Sequence, residues 1–283
     1  MFKNLCPIAI GIHAGMRENL KLAKSVGFDG LDLDIDEANK LTKEHSIDYV
    51  KDLWSESGLK MGGWGFPLDW GGGETEFQKG LKRFPEQAEL AADLGCHRTT
   101  TQVFNWSNAP FNENWDFHIR RLKPAAEILK HYGHSLGLEF IGPAASRRMH
   151  RFSFAYDMNV VLDLAATIGT GNVGLLFDTW HWYTCRSTLD DVRGLTKNEV
   201  IYVQVNDAPR DTNPEDQLDD ERCLPGETGV IPVVEILQIL NQIGCDGPVT
   251  PEPCNDEIEA MPPNVAAKVS LASLDKVWDQ ATG

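Results

Sequence analysis

The sequence predicts a single-domain (β/α)8 barrel, an α/β fold of the TIM barrel class, and three observations carry that prediction. Segments of strand character alternate with amphipathic helical segments eight times along the 283 residues, the order expected of a parallel sheet closed on itself. The helical segments repeatedly stop at a glycine just before the next strand, at Gly27, Gly58, Gly95, Gly133, Gly169 and Gly244, where a left-handed residue closes a helix. Residues 173–183, VGLLFDTWHWY, run uncharged from Val173 to Phe177 and then meet Asp178. That is the pattern of a strand buried on both faces that delivers a carboxylate at its C-terminal end. A doubly wound open sheet is the alternative, but no G-x-G-x-x-G follows the first strand, which disfavours its dinucleotide-binding form.

Taken in order, residues 7–12 (PIAIGI) read as strand one. Helical spacing of Leu20, Ala23 and Val26 marks residues 16–26. Alternation marks residues 30–35 as strand two, and residues 36–57 form one long amphipathic helix. Residues 60–66 are strand three, followed by Pro67 and by a helix over 74–94 that is interrupted near Pro85. Strand four is 98–104. The helix over 114–132 contains Pro124, which kinks it or marks a second start. Strand five is 136–141, with a helix over 154–168 after it. Strand six is 173–177, and Thr188 is the candidate N-cap of a short helix over 189–195. Strand seven is 200–205, followed by a polar loop rich in Asp and Pro. A helix over 231–243, strand eight at 248–253 and a helix over 264–281 complete the chain. No linker or low-complexity segment breaks residues 1–283 into parts.

Composition narrows the function classes. The chain is 42% hydrophobic and 24% charged, with a formal net charge of −16. This balance argues against tracking a phosphate backbone or an anionic membrane, so neither a nucleic acid nor a membrane is expected as partner. Six cysteines are dispersed with no C-x-x-C pair, which fits reduced thiols, a cytoplasmic location and no thiolate zinc site. No signal peptide or membrane span is expected. The oligomeric state is open, a homo-oligomer included.

In a barrel of this kind, chemistry sits at the C-terminal ends of the strands. Strand five carries Glu139 inside an apolar run, strand six ends in Asp178, strand seven carries Gln204, and strand eight carries Glu252. Four successive strands thus bring one oxygen-bearing side chain each to a similar height. Three carboxylates buried together need protons or a cation, and oxygen donors favour one divalent ion, Mn²⁺ or Mg²⁺, over a thiolate-type zinc site. Gln204 is the weakest signal of the four. Asn206 or Asp207 faces the site instead if the register differs. Trp64 and Phe66, at the end of strand three, are either barrel-top packing or an apolar wall for a sugar ring. His13 has the same two readings. Asp32 and Asp34 share one side of strand two, from which one of them approaches the pocket.

These residues lie in a series of motifs: GLEFIG (137–142), LLFDTWHWY (175–183), YVQVNDAP (202–209), RCLPGETG (222–229) and VTPEP (249–253). In this order, across nearly the whole chain, they resemble the sugar phosphate isomerase/epimerase group of xylose isomerase-like TIM barrels. The resemblance implies one divalent metal held by Glu139, Asp178, Gln204 and Glu252. Many members have His where this chain has Gln204, while members like hydroxypyruvate isomerase have Gln; a neutral amide oxygen tilts the site toward Mg²⁺ or Mn²⁺. It also implies Glu139 and Glu252 as the acid/base pair around a cis-enediolate, with His181 and Arg222 contacting substrate oxygens. Glu227 either orients Arg222 or stabilises the next helix start.

The implied activity is isomerisation or epimerisation of a small keto-sugar or polyol ketone. A lyase or dehydratase built on the same proton abstraction, acting on a keto-inositol, a dehydroshikimate or a 3-keto-glycoside, is the alternative. An endonuclease IV-like DNA repair enzyme needs extra histidines and a basic surface, which eight histidines and a charge of −16 do not supply. A non-catalytic scaffold is expected to lack one acid/base carboxylate, and both are here. No phosphate cradle follows strands seven and eight, and the acidic segment CNDEIEA follows strand eight, so an unphosphorylated substrate is expected.

Overall fold

The structure is a computed structural model that describes residues 1–283. Eight parallel strands close into a barrel: β1 (Phe2–Leu5), β2 (Gly30–Leu33), β3 (Lys60–Gly65), β4 (Arg98–Val103), β5 (Ser135–Phe140), β6 (Val173–Asp178), β7 (Val200–Val205) and β8 (Pro248–Pro251). They follow one another around the barrel in chain order. β8 returns to β1 through the pairs Phe2↔Pro248 and Lys3↔Val249. Every residue of β7 is buried, as expected of a strand covered by helices outside and side chains inside.

The main outer helices are α1 (Met16–Val26), α2 (Ile35–Glu44), α3 (Ile47–Ser57), α4 (Glu74–Leu94), α5 (Phe111–His131), α7 (Met158–Ile168), α10 (Val233–Gln242) and α12 (Pro263–Thr282). Short helices α6 (Ala144–Arg148), α8 (Thr179–Thr184), α9 (Leu189–Arg193) and α11 (Asp256–Glu259) lie in the connections. Helix α7 buries Val161, Leu164, Ala165 and Ile168, and α10 buries Val233, Ile236, Leu237 and Leu240. These three- and four-residue spacings put one apolar stripe against the sheet. The six glycines expected to end helices all have positive φ. Thr188 caps α9 in a reciprocal capping box with Asp191, as its position predicts.

Four expectations are corrected. Strand one is Phe2–Leu5 and not residues 7–12. Pro7 has no N–H for a ladder, and PIAIGI folds as a 3-10 turn (Ile8–Ile10) closed by Gly11 at φ 72°. The true strand is masked by Lys3 and by Asn4, whose polar side chain points into the barrel and donates to Asp32, Tyr202 and Thr250. The long helix over 36–57 is two helices. Asp34 caps α2 by accepting from the Glu37 N–H, and Ser46 caps α3 by accepting from the Tyr49 N–H. The helices around Pro85 and Pro124 run unbroken through both prolines; burial of Phe84, Ala88, Leu122 and Ala126 on their inner faces outweighs the lost N–H bond. Residues 154–157 precede helix α7, which starts where Asp157 accepts from the Val160 N–H. Between β4 and β6, Trp106–Ser107 and Phe152–Ser153 form a small antiparallel pair outside the barrel. No helix is long and apolar enough to cross a membrane, and all six cysteines are free thiols.

Candidate metal and acid/base centre

Neighbouring strands fix the heights of the side chains. Asp178 and Gln204 are direct partners across β6 and β7, and Gln204 is the partner of Thr250, two residues before Glu252. Glu139 sits one residue from the end of β5. The result is that carboxylate oxygens of Glu139, Asp178 and Glu252 lie within 4.8 Å of one another.

Asp178 is held on every side. Its Oδ1 accepts from the backbone N–H groups of Trp180 (2.7 Å) and His181 (2.8 Å), capping α8. Its Oδ2 accepts from Asn206 Nδ2 (3.2 Å) and Arg222 Nη1 (3.0 Å). Burial works to raise its pKa, but the Arg222 guanidinium, the neighbouring His181 and these donors together hold it below the ordinary carboxylate value. Asn206 is itself fixed: its Oδ1 accepts from Trp180 N–H and Thr179 Oγ1, and its Nδ2 also donates to the Glu252 carbonyl.

Glu252 behaves oppositely. Its Oε1 accepts from Gln204 Nε2 (2.7 Å) and its Oε2 from Arg222 Nη1 (3.2 Å). Burial pushes its pKa well above the usual range; Arg222 offsets part of this, while the Glu139 and Asp178 charges add to it. Three crowded carboxylates therefore hold a proton unless a cation takes its place.

The bond to Glu252 sets the orientation of the Gln204 amide, and Gln204 Oε1 is left buried with no protein partner. A buried acceptor of this kind needs a donor or a cation. Beside three carboxylates it fits a divalent ion bound through oxygen. Glu139, Asp178, Gln204 and Glu252 are the side chains placed to hold one.

His181 is buried beside them. The Gly142 N–H donates to its Nδ1 (3.3 Å), and its Nε2 lies 3.3 Å from Arg222 Nη2 and 3.4 Å from Glu139 Oε1. A Cβ at Gly142 would collide with the His181 carbonyl and Thr184 Oγ1, so the glycine that ends the GLEFIG motif is what lets this loop reach the imidazole. Arg222 stacks over the Trp180 ring at 4.6 Å and is oriented by Asp219, which accepts from its Nε at 2.8 Å. Glu227 does not orient Arg222; its Oε2 accepts from the Leu224 N–H. Asp207 gathers the same loop by accepting from four backbone N–H groups, those of Ala208, Thr228, Gly229 and Ile231.

The strand-three aromatics lie elsewhere. The Trp64 ring packs in the helix layer against Phe84 (6.1 Å) and His134 (5.5 Å) and is 2% exposed, so the ring belongs to the core, while the residue itself borders the same cavity as Phe66. Phe66 is half-buried, edge-on to Phe84 at 5.3 Å, and borders a cavity with His13. Of the two strand-two acids, Asp32 turns into that cavity, whereas Asp34 is an exposed helix cap. Asp219 carries a role that sequence reasoning did not assign; Asn206, expected to face the site only if the register differed, does so beside Gln204 by bonding Asp178.

Comparison with known proteins agrees with the fold. A family model described as xylose isomerase-like TIM barrel matches residues 20–277. An inosose isomerase of Bacillus velezensis is 21% identical over 249 residues, covering 85% of this chain and 84% of that protein. An inosose isomerase of Bacillus licheniformis is 28% identical over 134 residues, so that 47% of this chain spans only 45% of that protein's length. A xylose isomerase domain protein from Alicyclobacillus acidocaldarius superposes with a TM-score of 0.88 at 28% identity over the full length of both chains. The IOLI protein, solved with a bound zinc atom, superposes with a TM-score of 0.81 at 18% identity, again over both full lengths; at that identity the likeness concerns the fold.

Proposed function

The chain belongs to the xylose isomerase-like TIM barrel family, and on that premise we propose that it is a divalent-metal-dependent isomerase or epimerase of a small, unphosphorylated keto-sugar or polyol ketone. The observation that carries the reading is the cluster of Glu139, Asp178 and Glu252 within 4.8 Å beside the unpartnered Gln204 Oε1. Two relatives named inosose isomerase support a polyol ketone as substrate. Oxygen donors, a neutral amide among them, support Mn²⁺ or Mg²⁺.

A divalent ion here would act as Lewis acid, polarising a carbonyl and acidifying the neighbouring C–H. The residues do the rest. Glu139 and Glu252 are the two carboxyl groups free to move a proton, one removing it from carbon to give a cis-enediolate and one returning it. His181 Nε2 lies between Arg222 Nη2 (3.3 Å) and Glu139 Oε1 (3.4 Å), next to the Glu139 carboxyl. Asp178 moves no proton: its oxygens are engaged by Trp180, His181, Asn206 and Arg222. Arg222 and His181, buried beside the carboxylate cluster, would meet substrate oxygens there.

The test is solvent deuterium incorporation into ketoses and inososes by the Mn²⁺-loaded protein, followed by mass spectrometry. The expected result is exchange at the carbon beside the carbonyl, with isomeric product. The absence of exchange across the whole panel would overturn the reading.

A further inference from the structure

A cavity of about 630 Å³ opens over the C-terminal ends of β1, β2 and β3 and reaches across to Tyr202 and Gln204 of β7. That volume suits one small organic molecule. Gln204 joins this space to the carboxylate cluster, because its Nε2 donates to Glu252 while it borders the cavity. Tyr202 and Gln204 are two residues apart on one face of β7, about 6.6 Å along the strand, roughly the length of a monosaccharide ring.

The border of the cavity has a distinctive charge. Asp32, Asp34 and Asp36 line it, and no lysine or arginine does. Asp34 is committed to capping α2. Asp32 is different: it is built into the barrel floor. Its Oδ1 accepts from Asn4 Nδ2 (2.8 Å) and the Gly63 N–H (2.9 Å), and its Oδ2 accepts from Tyr202 OH (2.9 Å), which also bonds Thr250 Oγ1 (2.7 Å). A Cβ at Gly62 would collide with Oδ1 of both Asn4 and Asp32, so the carboxyl sits where it does only because residue 62 is glycine. A carboxylate offers about four acceptor positions. Three are used by groups that fix its orientation, and the fourth faces the Cys6 thiol on the cavity border, a weak donor that a ligand hydroxyl would displace.

We infer that Asp32 is a specificity-determining residue that anchors a hydroxyl of a neutral polyhydroxylated ligand on the β1–β3 side of the cavity. The ligand class rests on the proposed function. A fixed acceptor beside two more carboxylates attracts hydroxyl donors and repels a phosphate or carboxylate on the ligand. Loss of a buried bond to a charged acceptor weakens binding by about tenfold or more. Gly65, at the end of β3, gives an independent handle, since it borders the cavity and a Cβ there meets nothing within 4 Å.

The experiment is isothermal titration of chelator-treated protein with myo-inositol and with myo-inositol 1-phosphate, so that neither metal nor proton transfer takes part. Wild type is expected to bind myo-inositol and to bind the phosphate ester more weakly. Asp32→Asn is expected to weaken myo-inositol binding at least about tenfold with no fall in thermal transition, and Gly65→Leu to abolish it by filling the space. Undiminished binding in folded Asp32→Asn, tighter binding of the phosphate ester, or no binding to wild type overturns the inference. If Asp32→Asn does not fold, Gly65→Leu and the phosphate comparison decide: unchanged binding in the first or preference for the ester in the second overturns it. Asp32-dependent binding without any deuterium exchange would remove the isomerase reading and leave this inference standing.

Discussion

Arg222 Nη1 donates to Asp178 Oδ2 at 3.0 Å, and both side chains are closed to solvent, at 3% and 0% exposure. A pair this deep is strongly destabilising to break from one side, by about 3–5 kcal/mol, because the remaining charge is left buried. Arg222→Leu is therefore expected to lower the unfolding free energy of the metal-free protein by about 3 kcal/mol, read from the denaturation midpoint at unchanged slope. Arg222→Lys, which keeps the charge but not the fork, should recover part of that loss and little of the activity. A midpoint unaltered in the leucine variant would show that the contact carries no net stability.

Glu139→Gln and Glu252→Gln are expected to lower deuterium exchange about 10²–10⁴-fold, the usual weight of a positioned acid or base. Far-ultraviolet circular dichroism should be unchanged, since each amide keeps the carboxyl's shape. Retention of exchange in either variant would remove that residue from the acid/base pair.

The unpartnered Gln204 Oε1 makes two expectations about metal. Saturating Mn²⁺ at about 100 times its dissociation constant should stabilise the fold by about 2.7 kcal/mol, and chelation should reverse it. Gln204→His should raise the share of zinc in protein purified without added metal, because imidazole is the softer donor. Elemental analysis by mass spectrometry checks this, and an unaltered metal profile would exclude Gln204 as a ligand.

Asp32 has its pKa raised from 3.8 to about 6, chiefly by burial, against the pull of Asn4, Tyr202 and the Gly63 N–H. Folding thus favours its protonated form. The penalty for ionising it is absent below the unfolded pKa of about 4, grows between pH 4 and 6, and is complete above 6. Its size is on the order of 2–3 kcal/mol at about 1.4 kcal/mol per unit. His118, lowered from 6.5 to about 4 by burial, works the other way, costing stability as pH falls from 6.5 toward 4. The wild-type curve therefore mixes the two. The difference between Asp32→Asn and wild type isolates the first: the variant should be the more stable at pH 7, with the gap narrowing toward pH 4. A gap that is constant with pH would show that Asp32 does not titrate in this range.

Strands β2 to β6 and β8 were readable because each follows a helix-ending glycine, and β7 because its run VIYVQV is almost wholly apolar. The first strand was not, because the inner face of this barrel is polar at Asn4, Asp32, Tyr202 and Thr250, and a polar interior looks like surface in a sequence. The carboxylates at Glu139, Asp178 and Glu252 stood out for the opposite reason: an acid in or beside an apolar strand is anomalous unless it has work to do. The residues that hold them were not readable. Asn206 was legible only as an alternative to Gln204, with no sign of the bonds it makes to Asp178, and Asp219 is largely exposed and looks like any solvated acid until its bond to Arg222 is seen. Trp64 shows the limit of strand-end reasoning, since a side chain one position out of phase belongs to the helix layer instead of the mouth of the barrel.

Asp178 has one more consequence. A carboxylate has about four lone-pair directions, and in Asp178 each is already met, by Trp180, His181, Asn206 and Arg222. Two of those donors are backbone amides of the helix that Asp178 caps and do not swing away. An incoming cation that engages this oxygen must therefore win a coordination direction from Arg222 or Asn206. Loading of the centre would then be a substitution, with a guanidinium or an amide as leaving partner.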